Sequence, residues 1–498
     1  MKVFLYRESL FTRYLMPQQV MNLKDGKDLA DHCVEFGESQ GASYVEARYV
    51  EDRVRSLAFR NAAPISGGMV PSSGIGVRVL LDGNMGFASF DRIKKDLAED
   101  AILAACKMAK GAKRDAPIDM GDPISNKIRW SVKVKEKISD VTTDRMLEVA
   151  AEINNTMEGL ESYVLLFSPS ESQKYLVTNE GTRIEANLAL LTIMVILTAK
   201  GKIGSEQRYI DLTQVGGWEQ IKESNVVEFL SDEVSRLKKS AEKAEKIDEL
   251  LSAPIDILVG HEVAGIMAHE NVGHPSEGDR ILGREGAQAG ESFWRDLTIG
   301  ESQIASDVVT VSDDPSIPNT GGYYEWDDEG VKSRRRYLIK DGIVNEPLLN
   351  REFGVRFGSE SNGSARASSF SREPIIRMAN TFFEPGDHSF EELVEDIKLG
   401  VYMRTFQEWN IDDRRFQSKY TGSESYLVRN GEITETMVRR PVIETTSVGL
   451  LTAIDAVSKV MSLEFPGTCG KGDPMQGVPV YAGGGQLRFR NIRLGGVG

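Results

Sequence analysis

Apolar positions along the chain fall into runs of helical or strand-like spacing, broken by turn residues. Over 24–40, Leu29, Cys33, Val34 and Phe36 recur at roughly helical intervals, and ASYVEARYVEDRVRSLAFRN (42–61) then alternates as strands do. GIGVRVLLDGNMGFASF (74–90) predicts two strands joined at Asp82-Gly83-Asn84, followed by a helix over 93–111 with Cys106 on its apolar side. Residues 112–138, with Pro117 and Pro123, read as a linker. A helix is expected over 144–157, then strands broken by the turn Asn179-Glu180-Gly181, with ALLTIMVILTA (189–199) apolar enough for a buried strand. A charged amphipathic helix over 226–254 leads into a short buried strand at 255–259, opened by Pro254 and closed by Gly260.

Further on, hairpins are signalled at Asp341-Gly342 and Asn430-Gly431, and helices over 389–400 and 447–462. The last forty or so residues are rich in Gly and Pro and predict loops around one or two strands. Strands and helices in separate runs argue for an α+β, multidomain chain with large antiparallel sheets and flanking helices. The divisions expected are an extension or misassigned start at 1–21, an N-terminal α+β domain at 22–113, a central α+β domain at 114–238 and a C-terminal domain at 239–498.

Composition narrows the function classes. A length of 498 residues exceeds what one core organises, while 40% hydrophobic and 27% charged residues are ordinary for a globular protein. The net charge of −15 argues against nucleic acid as the main partner. Lys2, Arg7, Glu8 and Arg13 interrupt the first twenty residues, and no apolar run approaches the ~18 residues of a membrane span, so neither secretion nor a membrane is expected. Three scattered cysteines make a poor disulfide framework and fit a reducing cytoplasm; Cys33 and Cys106 read as small core residues.

Histidine changes the picture. Three of the five in the chain, His261, His269 and His274, lie within fourteen residues, and Glu262 and Glu270 directly follow two of them. Two histidines at i and i+4 sit about 40° apart on a helix and share a metal easily; His269 and His274 are at i and i+5, about 140° apart on a straight helix. They converge only if the helix widens or bends, as at a π-bulge, and Gly273 and Pro275 flank His274 where a bend is needed. Glu270 is then placed to serve a metal-activated water as a base. A third ligand is required, with Glu277, Asp279, His261, His388 and Cys469 as candidates; spacing alone favours Glu277.

The segment HENVGHPSEGD (269–279) resembles the HExxxH signature of the TldD/PmbA family, whose active members are zinc-dependent peptidases. GIGVRVLLDGNMGFAS (74–89), DDEGVKSRRRYLIKDGIV (327–344), SREPIIRMANTFF (371–383), SKYTGSESYLVRNGEI (418–433) and TCGKGDPMQGVPV (468–480) extend the resemblance in the family's order. It covers roughly residues 22–498. It implies His269, His274 and Cys469 as Zn2+ ligands, in place of Glu277, with Glu270 as catalytic base. Asn271 departs from the small residue usual after that glutamate, which puts the tuning of the site in question. His261 and Glu262 fall outside the family pattern and read as a polar pair at a helix start.

The resemblance further implies small or unfolded peptides as substrates, a dimer with a motif-lacking paralogue or a second copy, and a cytoplasmic setting. An extended peptide could add to a strand edge. The alternatives are a non-catalytic peptide-binding subunit or modulator, and another metal-dependent amide hydrolase. YYEWDDEG (323–330) is expected either to line a substrate path or to form a solvated turn. Arg366, Arg372 and Arg377 suit either a peptide carboxylate or surface ion pairs.

Overall fold

Strand Tyr44–Arg60 is the spine of the first of two ten-stranded sheets. The structure is a computed structural model and describes residues 23–112, 116–202, 204–285 and 290–495, so the expected extension at 1–21 lies outside the described residues. Along its length this strand pairs antiparallel with Ala63–Leu81. On its other side it meets Ser170–Thr178 and then Ser162–Phe167. The turn at Asp82-Gly83 takes left-handed φ values of 52° and 75°, which suits the glycine, and closes the expected hairpin. Helices Leu23–Ser39 and Lys95–Gly111 bury one side against this end of the sheet, where Cys33 and Cys106 are free, buried core residues.

The other end of the sheet covers a separate core beneath helices Thr143–Thr156 and Val226–Lys243. Strand Ile193–Gly201, which begins inside the apolar run 189–199 and ends two residues beyond it, lies in it with alternate residues buried. The expected linker is not all linker: Lys127–Ser131 joins the sheet as a strand parallel to Arg183–Leu191. The charged helix is also shorter than 226–254, ending at Lys243 before a four-residue turn of helix, Glu249–Ser252.

The second sheet is mixed. At its centre Ile255–Val259 runs antiparallel to Gln476–Ile492 and parallel to Leu399–Met403, with Asn380–Phe383 parallel to the far half of Gln476–Ile492. Ile257 and Val259 face one core and Leu258 the other, the two-sided burial expected of a central strand. Sequence patterning missed most in this half. The helix expected over 447–462 stops at Thr452, and strand Ile454–Lys471 begins two residues later. That strand and Gln476–Ile492 form a long antiparallel hairpin, where a helix and then loops around one or two strands were expected. The helix expected over 389–400 is the short Phe390–Val394, followed by strand Leu399–Met403. The hairpins at Asp341-Gly342 and Asn430-Gly431 are present.

Candidate metal centre

Gly260 ends the central strand and precedes helix His261–Ala268, which lies across the long C-terminal hairpin. Val263, Ile266, Met267 and Val272 are fully buried, and such side chains contribute about 1.5–3 kcal/mol each on burial. Gly265 allows the close approach: a Cβ there would lie 2.7 Å from the backbone nitrogen of Gly483. From His269 to Gly273 the helix widens into a π turn, with the His274 N–H donating to the His269 carbonyl at 3.0 Å. This is the departure from a straight helix that i, i+5 spacing demands. The two imidazoles lie with centroids 4.8 Å apart and planes at 82°.

Strand Ile454–Lys471 brings Cys469 to the same place, with Sγ 3.4 Å from Nε2 of His274. Ligand atoms of His269, His274 and Cys469 all lie within 4.8 Å of one another, and all three residues are buried. Burial alone would raise the Cys469 thiol, but His274, Arg377 and His269 hold it well below its usual pKa, favouring thiolate. Burial disfavours charge on His269, yet the neighbouring Cys469 reverses the balance and raises its pKa. Nδ1 of His269 is buried without a hydrogen-bond partner. Two imidazoles and a thiolate, one with an orphaned nitrogen, are a donor set that fits a zinc-sized cation.

Around this triad is a charged shell. Glu277 is fully buried and accepts from Nδ1 of His274 at 3.0 Å and Nε of Arg280 at 2.6 Å, with Nζ of Lys471 3.3 Å away. Burial pushes its carboxyl up, but Lys471, His274 and Arg280 more than reverse this and hold it well below the usual range. Spacing favoured Glu277 as a ligand; it instead orients the His274 ring from behind. Asp279 is paired with Lys471 at 2.7 Å. His261 and His388 stand apart from the triad: Nδ1 of His261 contacts the Gly484 carbonyl at 2.7 Å, and His388 bridges to Ser458. Glu262 is bound at both oxygens by Arg208, so the helix-start pair is structural.

Glu270 is held by Nε1 of Trp409 at 2.9 Å and a guanidinium nitrogen of Arg415 at 2.7 Å. Burial works against its charge, but His274, Arg415 and His269 outweigh it and lower its pKa. Trp409 and Arg415 had no sequence signal, because each lies about 140 residues from the motif. Arg377, left open between a peptide carboxylate and a surface ion pair, has neither role in the fold. It is fully buried and donates to the Gln476 carbonyl at 2.9 Å and to the Cys469 carbonyl, serving neither a surface ion pair nor an open substrate site. Asn271 donates to Ser418 and Ser447 and accepts from Tyr420, so its polar groups are all engaged.

Comparison with known proteins places the chain. The description "PmbA/TldA metallopeptidase C-terminal domain" matches residues 252–496, and "PmbA/TldA metallopeptidase domain 1" matches 45–110. A metalloprotease of Methanocaldococcus jannaschii is 30% identical over 475 residues, spanning 95% of this chain and 98% of that protein. The chain belongs to the PmbA/TldA, or TldD/PmbA, metallopeptidase family. A zinc metalloprotease TldD homolog of Saccharolobus solfataricus is 27% identical over 93% of this chain and 99% of its own. The fold is shared with TldE of Thermococcus kodakarensis, at a TM-score of 0.69 and 19% identity, over 94% of this chain and all of that one. A putative modulator of DNA gyrase from Bacteroides thetaiotaomicron has a TM-score of 0.73 at 16% identity, over 96% of this chain and all of its own. This family member is thus a metalloprotease by kinship, with an α+β multidomain fold. Among the described residues, no helix is long and apolar enough to cross a membrane.

Proposed function

We propose that the chain is a zinc peptidase of the HExxxH type that hydrolyses peptide bonds in small or unfolded peptides. His269, His274 and Cys469 hold the zinc, and Glu270 is the general base. The observation that carries this reading is the convergence of those three ligand atoms within 4.8 Å, beside the adjacent Glu270. Zinc bound there supplies Lewis acidity toward a carbonyl oxygen and activates a water. Glu270, ionised at neutral pH, takes the proton of the attacking water and returns it to the departing amine. Trp409 and Arg415 orient its carboxylate. Glu277 fixes the tautomer of His274 by accepting from Nδ1.

The reading extends to the setting. Three free thiols support a reducing cytoplasm, and a fold shared with TldE supports pairing with a motif-lacking paralogue or a second copy. The test is metal analysis beside a peptide-library assay. About one zinc per chain is expected, with Glu270→Gln retaining zinc but losing turnover, and Cys469→Ala losing zinc. Zinc retained by Cys469→Ala would overturn the third ligand, and undiminished turnover by Glu270→Gln would overturn the base.

A further inference from the structure

Glu270 lies against a group of aromatic rings that its orientation alone does not require. Trp409, whose Nε1 holds the carboxylate, is the most exposed of the chain's five tryptophans, at 38%. Its ring packs edge-on against Phe406, with centroids 5.4 Å apart and planes at 82°, and against Phe465, at 6.2 Å and 80°. Phe406 and Phe465 pack on each other at 5.4 Å. Phe406 is buried and Phe465 half-buried, so two of the three rings keep open apolar surface beside Glu270. Holding a carboxylate oxygen takes only the indole N–H; the uncovered rings gain stability when an apolar group covers them.

Two strands each slip by one residue to aim these rings. Phe406–Ile411 is the edge of a four-stranded sheet and carries an extra residue at Gln407, which puts Phe406 on the same face as Trp409. Ile454–Lys471 carries one at Glu464, and from Phe465 to Cys469 its pairing is regular. Bulges of this kind re-aim side chains next to active sites. Alternation then puts Phe465, Gly467 and Cys469 on one face, the face that brings the Cys469 thiol to His274. Gly467 is about 7 Å along the strand from Cys469, within reach of the side chain next to a bond held at the metal.

Between Phe465 and Cys469 that face is empty. Gly467 is buried, yet a Cβ built on it would meet only Cζ of Phe465, at 3.8 Å. Packing forces glycine elsewhere in the hairpin: a Cβ at Gly483 would lie 2.2 Å from the Ser462 carbonyl oxygen, and one at Gly485 2.6 Å from the Val457 side chain. Nor does the backbone demand glycine at 467, whose φ lies outside the left-handed region. A strand glycine that neither packing nor φ explains marks a place where another molecule approaches closely. The space it leaves has Phe465 on one side and a metal-centre residue on the other.

We propose that Gly467, Phe465 and Trp409 form a subsite for a large apolar side chain, Phe or Leu in size, on the residue adjoining the scissile peptide bond. That a bond is cut there rests on the peptidase reading; the preference for a large apolar side chain does not. The experiment uses alanine hexapeptides with blocked ends, carrying either Ala or Phe at the third position. Calorimetric titration of full-length Glu270→Gln protein measures binding without turnover, and kcat/KM is measured with the parent. The Phe peptide is expected to bind about 10-fold more tightly than the Ala peptide. Gly467→Val in the same background fills the space and is expected to bring the two within about 2-fold, with zinc content and melting temperature held. Where Gly467→Val fails to fold, Gly467→Ala carries the test: its one added carbon has room, and the ratio should fall about 3-fold. Equal binding of the two peptides, binding of neither, or a ratio untouched by the substitution overturns the proposal. Cleavage by the parent with no preference for Phe over Ala in kcat/KM also overturns it. The binding preference without any cleavage refutes the peptidase reading alone.

Discussion

Replacing Glu277 by Gln tests how far the metal centre depends on the carboxylate behind it. The side chain is fully buried, and the substitution keeps its shape while removing a charge that faces His274, Arg280 and Lys471. Breaking a buried ion pair by removing one partner typically costs 3–5 kcal/mol. Two of the three cations have a second carboxylate, Lys471 at Asp279 (2.7 Å) and Arg280 at Glu285 (2.9 Å), so the lower end of that range, about 3 kcal/mol, is expected. His274 has no such reserve at Nδ1, and loss of a ligand's orienting partner weakens metal about 10- to 100-fold, or roughly 1.4–2.7 kcal/mol. Zinc affinity would be measured by competition with a chromophoric chelator, and stability by denaturant melts of the metal-free protein. Glu285→Gln is the control: it weakens the Arg280 pairing and leaves the His274 contact in place, so it should lower stability without changing zinc affinity. Unchanged zinc affinity in Glu277→Gln, or equal loss in both variants, would refute the reasoning.

Gly265→Ala would drive a Cβ to within 2.7 Å of the Gly483 backbone nitrogen, so the motif helix must lift from the hairpin. Overpacking of this kind costs about 1–3 kcal/mol, and thermal melts together with zinc titration should show both stability and affinity falling. Asp328 gives a pH signature. Burial raises its carboxyl, but Lys174, Arg48 and the Ala367 N–H overcome that and lower it below the ordinary value. A depressed carboxylate stabilises the fold fully above its unfolded pKa of about 4, and that contribution is lost as pH falls through the folded value. Asp328→Asn should therefore be less stable than the parent at pH 6, with the gap narrowing in melts below pH 4; a gap independent of pH would contradict the assignment.

The π turn was legible because spacing alone set the demand: His269 and His274 meet only on a helix that widens, and the flanking Gly273 and Pro275 permit it. The resemblance pointed to Cys469, but not to its place in an 18-residue strand. Two effects hid that strand. Register shifts near Ala456, Met461 and Phe465 break its period-2 alternation, leaving apolar spacing that passes for helix. Its partner carries Gly483, Gly484 and Gly485, which imitate a loop, yet Gly483 lies where the motif helix crowds the backbone. The residues that hold Glu270 were illegible for a different reason. Trp409 and Arg415 are brought to it by tertiary pairing, and nothing in local pattern reports a contact over that separation.

The separation of the ligands has its own consequence. His274 and Cys469 stand 195 positions apart, and the thiolate arrives on a strand that must first zip along Gln476–Ile492. During synthesis from the N-terminus, the histidine-bearing helix emerges long before its third donor. If these three residues are the ligands, a nascent chain has no complete metal site, and no cutting power, until the C-terminal hairpin has been made and docked. On the proposed reading, the order of translation acts as a safety catch, keeping the metalloprotease inert while it is itself unfolded.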